Sequence, residues 1–147
     1  MNAPIEIQLQ MNADPGTIWK LLTEPELMKQ WMGEPEMKLE INTTWKIGSP
    51  ISIKGFHHIN FENKGVVLKY EENTVLSYNH LDSVSGLNDR PENYSIIEFN
   101  LLPVQNQTIL KIKLDNFPTE TIFKHLQFYW TNTIGLIRKM AEQKIDA

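Results

Sequence analysis

Residues able to do chemistry are few and scattered in this chain. Tyr78 and His80 share parity with Leu76 in the run Leu76-Ser77-Tyr78-Asn79-His80, so in a strand all three face the same side. A phenol and an imidazole on an inward face are hydrogen-bonding anchors for a polar group of a bound molecule. They are also the one pair nominated for acid–base work, which needs titratable groups whose burial separates their pKa values. Glu98 stands inside the apolar run Ile96-Ile97-Glu98-Phe99, but its parity opposes that of Ile97 and Phe99. With Lys111 and Lys113 alternating in the next run, Glu98 reads as one half of a surface cross-strand ion pair. His57-His58 looks like a metal pair, yet neighbours on a strand point to opposite faces. His125 falls on the polar side of the final helix. With no cysteine and no His-x-x-x-His spacing, neither a metal nor another cofactor is expected. No nucleophile elbow, phosphate loop or His-Glu-x-x-His string occurs, so the chain reads as non-catalytic.

A larger set of residues suits binding. A pocket for an apolar molecule needs apolar and aromatic walls with a few polar anchors. The candidates are Trp31, Met32, Met37, Leu39, Trp45, Ile53, Val66, Leu68, Tyr78, Phe99, Phe123, Leu126 and Trp130, with His80 as a polar anchor. The competing reading is that these side chains fill one another as an ordinary core. Methionines beside tryptophans favour an adaptable pocket. Phe128 lies about 160° from Trp130 at 100° per residue, close in angle to Gly135 and Lys139. It reads either as a contact with another chain or as a single exposed apolar residue.

Composition narrows the classes. The chain has 147 residues, one domain by length, expected to span 1–147. At that size folding buries roughly 68–70% of the surface of the extended chain. Hydrophobic residues make up 41% and charged residues 22%, ordinary for a globular protein and not for a disordered one. Fourteen Lys and Arg against eighteen Asp and Glu give a net charge of −4, which repels phosphate backbones and argues against nucleic acid as a partner. No run approaches the ~18 apolar residues of a membrane span, and the first residues lack a basic stretch followed by an apolar one, so a cytoplasmic protein is expected.

The elements that must position these residues follow from periodicity. Ile5, Ile7, Leu9 and Met11 alternate with Glu6, Gln8 and Gln10, a strand with one face in a core. Asp14-Pro15 reads as an N-cap followed by proline at the first helical position. Thr23-Glu24-Pro25-Glu26 matches a capping box opening a second short helix that carries Leu27 and Trp31 and stops at Gly33 and Pro35. Short alternating runs follow: Met37-Leu39-Ile41, Trp45-Ile47, Ile51-Ile53, Val66-Leu68-Tyr70, Leu76-Tyr78-His80, Ile97-Phe99-Leu101 and Leu110-Ile112-Leu114. Turn residues between them imply an antiparallel meander. The polar stretch 82–93 reads as a mobile surface loop, a candidate lid. After Pro118 the period turns helical, with Phe123, Leu126, Trp130, Ile134, Ile137 and Ala141 on one stripe. Roughly 20 helical residues make a rod about 30 Å long, able to lie across a small sheet. The order is α+β, with helices on one face of an antiparallel sheet.

The stretch from Ile18-Trp19 through Glu24-Pro25-Glu26-Leu27 to Trp31 resembles the family of activators of heat-shock-protein-90 ATPase homologues, within the START-like (SRPBCC) helix-grip superfamily. Further matches follow in order: Gly65-Val66 through Asn73 to Leu76 and Tyr78, then Ser95 to Phe99 with Pro103 and Thr108, then Asp115-Asn116-Phe117 before the helix bearing Trp130. The chain departs from the family pattern at Trp45-Lys46-Ile47-Gly48, where a double-glycine turn is common, and at Met32, where an aromatic is common. The resemblance implies a curved antiparallel sheet gripping the C-terminal helix, with a cavity for a hydrophobic small molecule or lipid between them. Entry is expected near the second helix and the loop at 82–93. It also implies two rival functions: a stress-response interaction module acting on a heat-shock chaperone ATPase, and an enzyme of the polyketide cyclase type.

Overall fold

The alternation at the start of the chain does build a strand. In the computed structural model, which describes residues 3–143, β1 (Ile5–Met11) pairs antiparallel with β7 (Gln107–Asp115), Ile5 opposite Leu114 and Met11 opposite Thr108. Between these two lie α1 (Pro15–Thr23), α2 (Pro25–Met32), β2 (Glu40–Thr43), β3 (Pro50–His57), β4 (Ile59–Glu71), β5 (Val75–Asp82) and β6 (Ser95–Val104); α3 (Glu120–Glu142) closes the chain. The strands form one seven-stranded sheet in the order β1-β7-β6-β5-β4-β3-β2, every described neighbour antiparallel. β2 to β7 are therefore a meander, and β1 extends it beside β7.

Asp14 caps α1 as its type predicts, its carboxylate accepting the Thr17 amide at 2.8 Å. The capping box at Thr23 does not form. Thr23 ends α1 and its hydroxyl donates back to the Trp19 carbonyl at 2.7 Å, while α2 is capped at Glu24 without a side-chain bond. A threonine at the end of a helix bonds back to the carbonyl one turn earlier, and that bond takes its hydroxyl away from the cap.

One predicted strand run is cut short and another dissolves: of Met37-Leu39-Ile41 only Ile41 lies in a strand, β2. Met37 ends a 3-10 turn (Pro35–Met37), followed by Lys38 in the left-handed region at φ 49°. Trp45 also has a left-handed backbone, φ 60°, and Ile47 is 68% exposed, so the Trp45-Ile47 run is a loop. In β4 the inner face belongs to the other parity. Val67 opposes Tyr78 and Lys69 opposes Ser77, leaving Leu68 as an extra residue in a bulge. Val67 is buried in the core, whereas Val66 and Leu68 are half-buried and outside it. The ladder is also interrupted at Gly65, where the Val66 amide donates to the Asn79 Oδ1 at 2.8 Å instead of to a carbonyl.

His57 and His58 are not two residues of one straight strand. His58 sits at the β3–β4 hairpin with φ 65°, and the two exposed rings approach to 4.6 Å between centroids. Among the described residues no three His, Asp or Glu side chains gather as a metal site. Glu98 is opposite Lys113 in register, but its carboxylate pairs with Lys69 of β4 at 2.7 Å and accepts the Asn100 amide at 3.0 Å. Burial raises its pKa, and the Asn100 and Lys69 hydrogen bonds with the Lys69 and Lys113 charges outweigh that, leaving it below the usual carboxylate range.

α3 begins at Thr119, whose hydroxyl accepts the Ile122 amide at 3.1 Å. Leu126, Trp130, Thr133, Ile134, Ile137 and Ala141 are its buried residues, and Phe123 of the expected stripe is half-buried against Phe117, ring centroids 5.0 Å apart. Among the described residues no helix is long and apolar enough to cross a membrane. The stretch read as a mobile loop is pinned to its surroundings. Ser83 accepts the Glu62 amide at 2.9 Å, Asp89 pairs with Lys64 at 2.6 Å and accepts the Tyr94 hydroxyl at 2.6 Å, and Asn116 donates to the Glu92 carbonyl at 3.0 Å.

Candidate functional site

The side chains nominated for a cavity are brought to one interior, and most of them meet each other. Trp31 lies 5.8 Å from Trp130 between ring centroids, Trp130 lies 5.6 Å from Phe99, Phe99 lies 6.2 Å from Tyr78, and Tyr78 lies 6.2 Å from Trp45. Trp45 continues onto Tyr70 at 6.0 Å. Leu39 and Ile53 are buried near this chain of rings, while Met32 and Met37 are half-buried at its edge.

Both tryptophans next to the short helices have their polar end engaged. The last carbonyls of a helix lack an intrahelical partner. Trp31 Nε1 donates to the Leu21 carbonyl at 2.8 Å, and Trp45 Nε1 donates to the Thr23 carbonyl at 2.7 Å, so two indoles close the end of α1. Tyr129 ties α3 to the end of α2, its hydroxyl donating to the Met32 carbonyl at 2.6 Å. Burial pushes the Tyr129 phenol up to about 12. Burial also raises the Tyr78 phenol, with the neighbouring Tyr129 adding to it, so both stay protonated at neutral pH.

Polar groups without a protein partner lie at the other end of the grip. A cavity of about 60 Å³ is lined by Asn63 of β4, His80 and Asp82 of β5, Ser85 and Asn93 of the following loop, Ser95 of β6, and Ile122, His125 and Leu126 of α3. Register explains this meeting: Asn63 opposes Asp82, and His80 opposes Ser95, and directly opposed residues share a face. Asn63 Oδ1 and His80 Nδ1 are out of reach of water and hydrogen-bond to no protein group. Such atoms are rare in native proteins and demand an explanation. Asp82 is half engaged, one carboxylate oxygen accepting the Val84 amide at 2.9 Å.

Of the nominated residues, His80 and Leu126 line this cavity, and Tyr78 lies on the same inner face of β5, its ring in the aromatic chain. Asn63, Ser95 and His125 are not among the binding residues that the sequence points to. Asn63 shares parity with Phe61 and Val67, but that signal appears only once β4 is known to begin at Ile59. A second, open depression of about 420 Å³ lies along the β3–β4 hairpin between Lys54, Gly55, Phe61 and Ser83.

Burial lowers the His80 pKa to about 4 from its ordinary 6.5, Asp82 opposing and His125 reinforcing the shift. The unfolded chain then binds more protons than the folded one between those values, so stability rises with pH across that window. It is complete above about pH 6.5 and is lost as pH falls toward 4, by at most about 3 kcal/mol. Urea unfolding of the wild type at pH 7 and pH 4.5 should show this loss, and His80→Leu should remove most of it. An equal loss in both proteins would place the acid-sensitive group elsewhere.

A curved antiparallel sheet with a long C-terminal helix, and two short helices after the first strand, defines the helix-grip class of START-like proteins. The pattern of the family described as activator of Hsp90 ATPase homolog 1-like protein matches residues 12–142, and the chain belongs to that family. A solution structure from Cytophaga hutchinsonii is 28% identical with a TM-score of 0.81, covering 100% of this chain and 99% of that one. The Aha1 dimer from Colwellia psychrerythraea is 21% identical with a TM-score of 0.75, covering 97% and 98%. A crystal structure from Chromobacterium violaceum has a TM-score of 0.83 at 14% identity, covering 98% and 100%; these last two share the fold. No curated protein matches the sequence.

Proposed function

We propose that the chain binds a small molecule with an apolar body and a polar head at the end of the grip where α3 overhangs β5. The observation that carries this reading is the pair of buried atoms, Asn63 Oδ1 and His80 Nδ1, unpaired on two residues that line one cavity. A buried polar group without a partner costs about 1–3 kcal/mol, and a ligand that supplies the partner recovers it. A cavity of about 60 Å³ holds a head group, well short of the roughly 300 Å³ or more of a site that encloses a whole ligand. The apolar body therefore lies along Ile122 and Leu126 toward the loop at 82–93, and its entry moves the first turns of α3. The reading is of a binder, not an enzyme: Asp82, the carboxylate at the site, is drawn into a turn by Val84.

Native mass spectrometry of protein purified from its own host, followed by denaturing extraction, tests this. A stoichiometric amphiphilic adduct is expected. Protein that arrives free of any adduct and takes up none of the amphiphiles of a host extract would end the reading.

Phe128, 73% exposed, and Leu136, 49% exposed, favour a second reading as a docking module for a heat-shock-type ATPase. Exposed apolar anchors on one helix suit a contact with another protein. Stimulation of such an ATPase at saturating protein, lost in Phe128→Ser, is the outcome it requires.

A further inference from the structure

The side chains around the cavity offer both hydrogen-bonding senses, and none of the lining residues is Lys or Arg. Asn63 Oδ1 and His80 Nδ1 are sealed inside the protein, so the ends left for a guest are Asn63 Nδ2 and His80 Nε2. An amide nitrogen only donates. Burial keeps the His80 ring neutral at pH 7, and a neutral imidazole holds one proton. On the sealed Nδ1 that proton would be a buried donor without an acceptor, the rarer kind of orphan, so it sits on Nε2 and His80 donates as well. Asp82 brings the opposite sense: one carboxylate oxygen accepts the Val84 amide at 2.9 Å and the other is left to accept from a guest. Asn93 donates an amide N–H to the Asn88 carbonyl at 2.9 Å and keeps its own oxygen as a further acceptor. Ser85 offers nothing, its hydroxyl donating to the Asp82 carbonyl at 2.7 Å and accepting the Leu87 amide at 3.2 Å. Ser95 and His125 adapt to either sense.

Resting on the ligand reading above, we propose that the polar head held here is a hydroxyl, the head of an alcohol with an apolar body. A hydroxyl oxygen accepts two hydrogen bonds and its hydrogen donates one. It therefore answers the Asn63 and His80 donors and the free Asp82 oxygen together, and no group at the cavity opposes it. An ammonium donates to Asp82 but turns its remaining N–H groups toward the Asn63 and His80 donors. A carboxylate accepts from those donors but sets like charge against Asp82, with no Lys or Arg in the lining to offset it. The net charge of −4 adds to that penalty. An ether oxygen accepts as a hydroxyl does and leaves Asp82 without a donor.

Octan-1-ol, octyl methyl ether, octylamine and octanoate share one apolar chain and differ at the head, so their affinities separate the head from the body. Titrated into the full-length protein at pH 7 and 0.15 M salt, and followed by backbone amide shifts, octan-1-ol should bind tightest. The ether, one hydrogen bond short, should bind roughly tenfold more weakly, and each charged head weaker still. Asp82→Asn keeps an oxygen for the Val84 amide and puts a donor where the free acceptor was. It should weaken octan-1-ol roughly tenfold, leave the ether unchanged and strengthen octanoate. Asn63→Leu removes a donor and should weaken octan-1-ol and the ether alike. An ether, amine or carboxylate that equals or exceeds octan-1-ol at these residues would overturn the hydroxyl assignment and leave the ligand site standing. So would octanamide binding tighter than octan-1-ol, or octan-1-ol affinity indifferent to both substitutions. No shift at Asn63, His80 or Leu126 with any of these molecules would overturn the hydroxyl assignment together with the site.

Discussion

Gly65→Ala is expected to leave little or no folded protein. A Cβ at Gly65 would fall 2.6 Å from the Asn79 carbonyl carbon and closer still to its oxygen. Both are backbone atoms of the neighbouring β5, so no side-chain rotation relieves the contact and the two strands must separate. That separation also withdraws the Asn79 side chain from the Val66 amide, its 2.8 Å hydrogen-bond partner. The strands part next to Asn63 and His80, so any fold that survives should lose the polar cavity as well. Asn79→Ala is the control: it removes one hydrogen bond, costs about 1–3 kcal/mol, and leaves a folded chain. Circular dichroism of purified Gly65→Ala reads the outcome. A cooperative melt within a few degrees of the wild type would mean that β4 and β5 do not approach each other at Gly65 as described.

Trp130→Ala should cost about 3–5 kcal/mol, the range for removing a large buried ring. The ring is 5% exposed and lies within 6 Å of Trp31, Phe99 and Tyr129 between centroids, at 5.8, 5.6 and 5.1 Å. It joins the sheet to both α2 and α3, so the space left behind cannot be filled by one neighbour's movement. In a domain of this size the melting temperature should fall by roughly 10–15 °C. Trp130→Phe should recover much of the loss. The same substitution separates core from pocket. An octan-1-ol affinity that survives Trp130→Ala while stability collapses fits a head group bound at His80; a gain in affinity for bulkier apolar molecules would make the aromatic chain the real binding surface.

Much of this fold is legible in the sequence where one periodicity runs unbroken. The alternation at Ile5–Met11 and the stripe from Leu126 to Ala141 each bury a single face, and each becomes the expected element. Legibility fails where local geometry breaks the period. Leu68 is an extra residue in a bulge, so the inner face passes from Val67 to Tyr70, and Val66 and Leu68 lose the positions their parity implies. At the start of β4 only Ile59 and Phe61 alternate with polar residues, too short a run to mark a strand, and Asn63 on their parity is itself polar, so it gives little sign of facing inward. Trp45 looks like a strand residue because it is aromatic and followed by Ile47, yet its left-handed backbone turns the indole onto Tyr70 and toward the Thr23 carbonyl.

The site follows the same rule. His80 is legible, since its parity with Tyr78 and Leu76 puts it on the inner face. What makes it a site is the company of Asn63, Ser95 and His125, which come from three other segments and meet only through register and the placement of α3. Long-range pairing of that kind leaves no local trace. The aromatic candidates illustrate the converse: type and periodicity mark them as interior, and only the packing shows Trp31 and Trp45 closing the end of α1 by their indole N–H groups.

The proposal that the end of the grip holds a ligand head group is tested most directly at His80 itself, by long-range ¹H–¹⁵N spectra of the histidine rings during a titration with octan-1-ol at pH 7. The ligand reading predicts that the His80 Nδ1 resonance moves with saturable dependence on concentration, while the exposed rings of His57 and His58 at the hairpin stay where they are. A His80 resonance that does not move, or shifts confined to the face around Phe128, would contradict it.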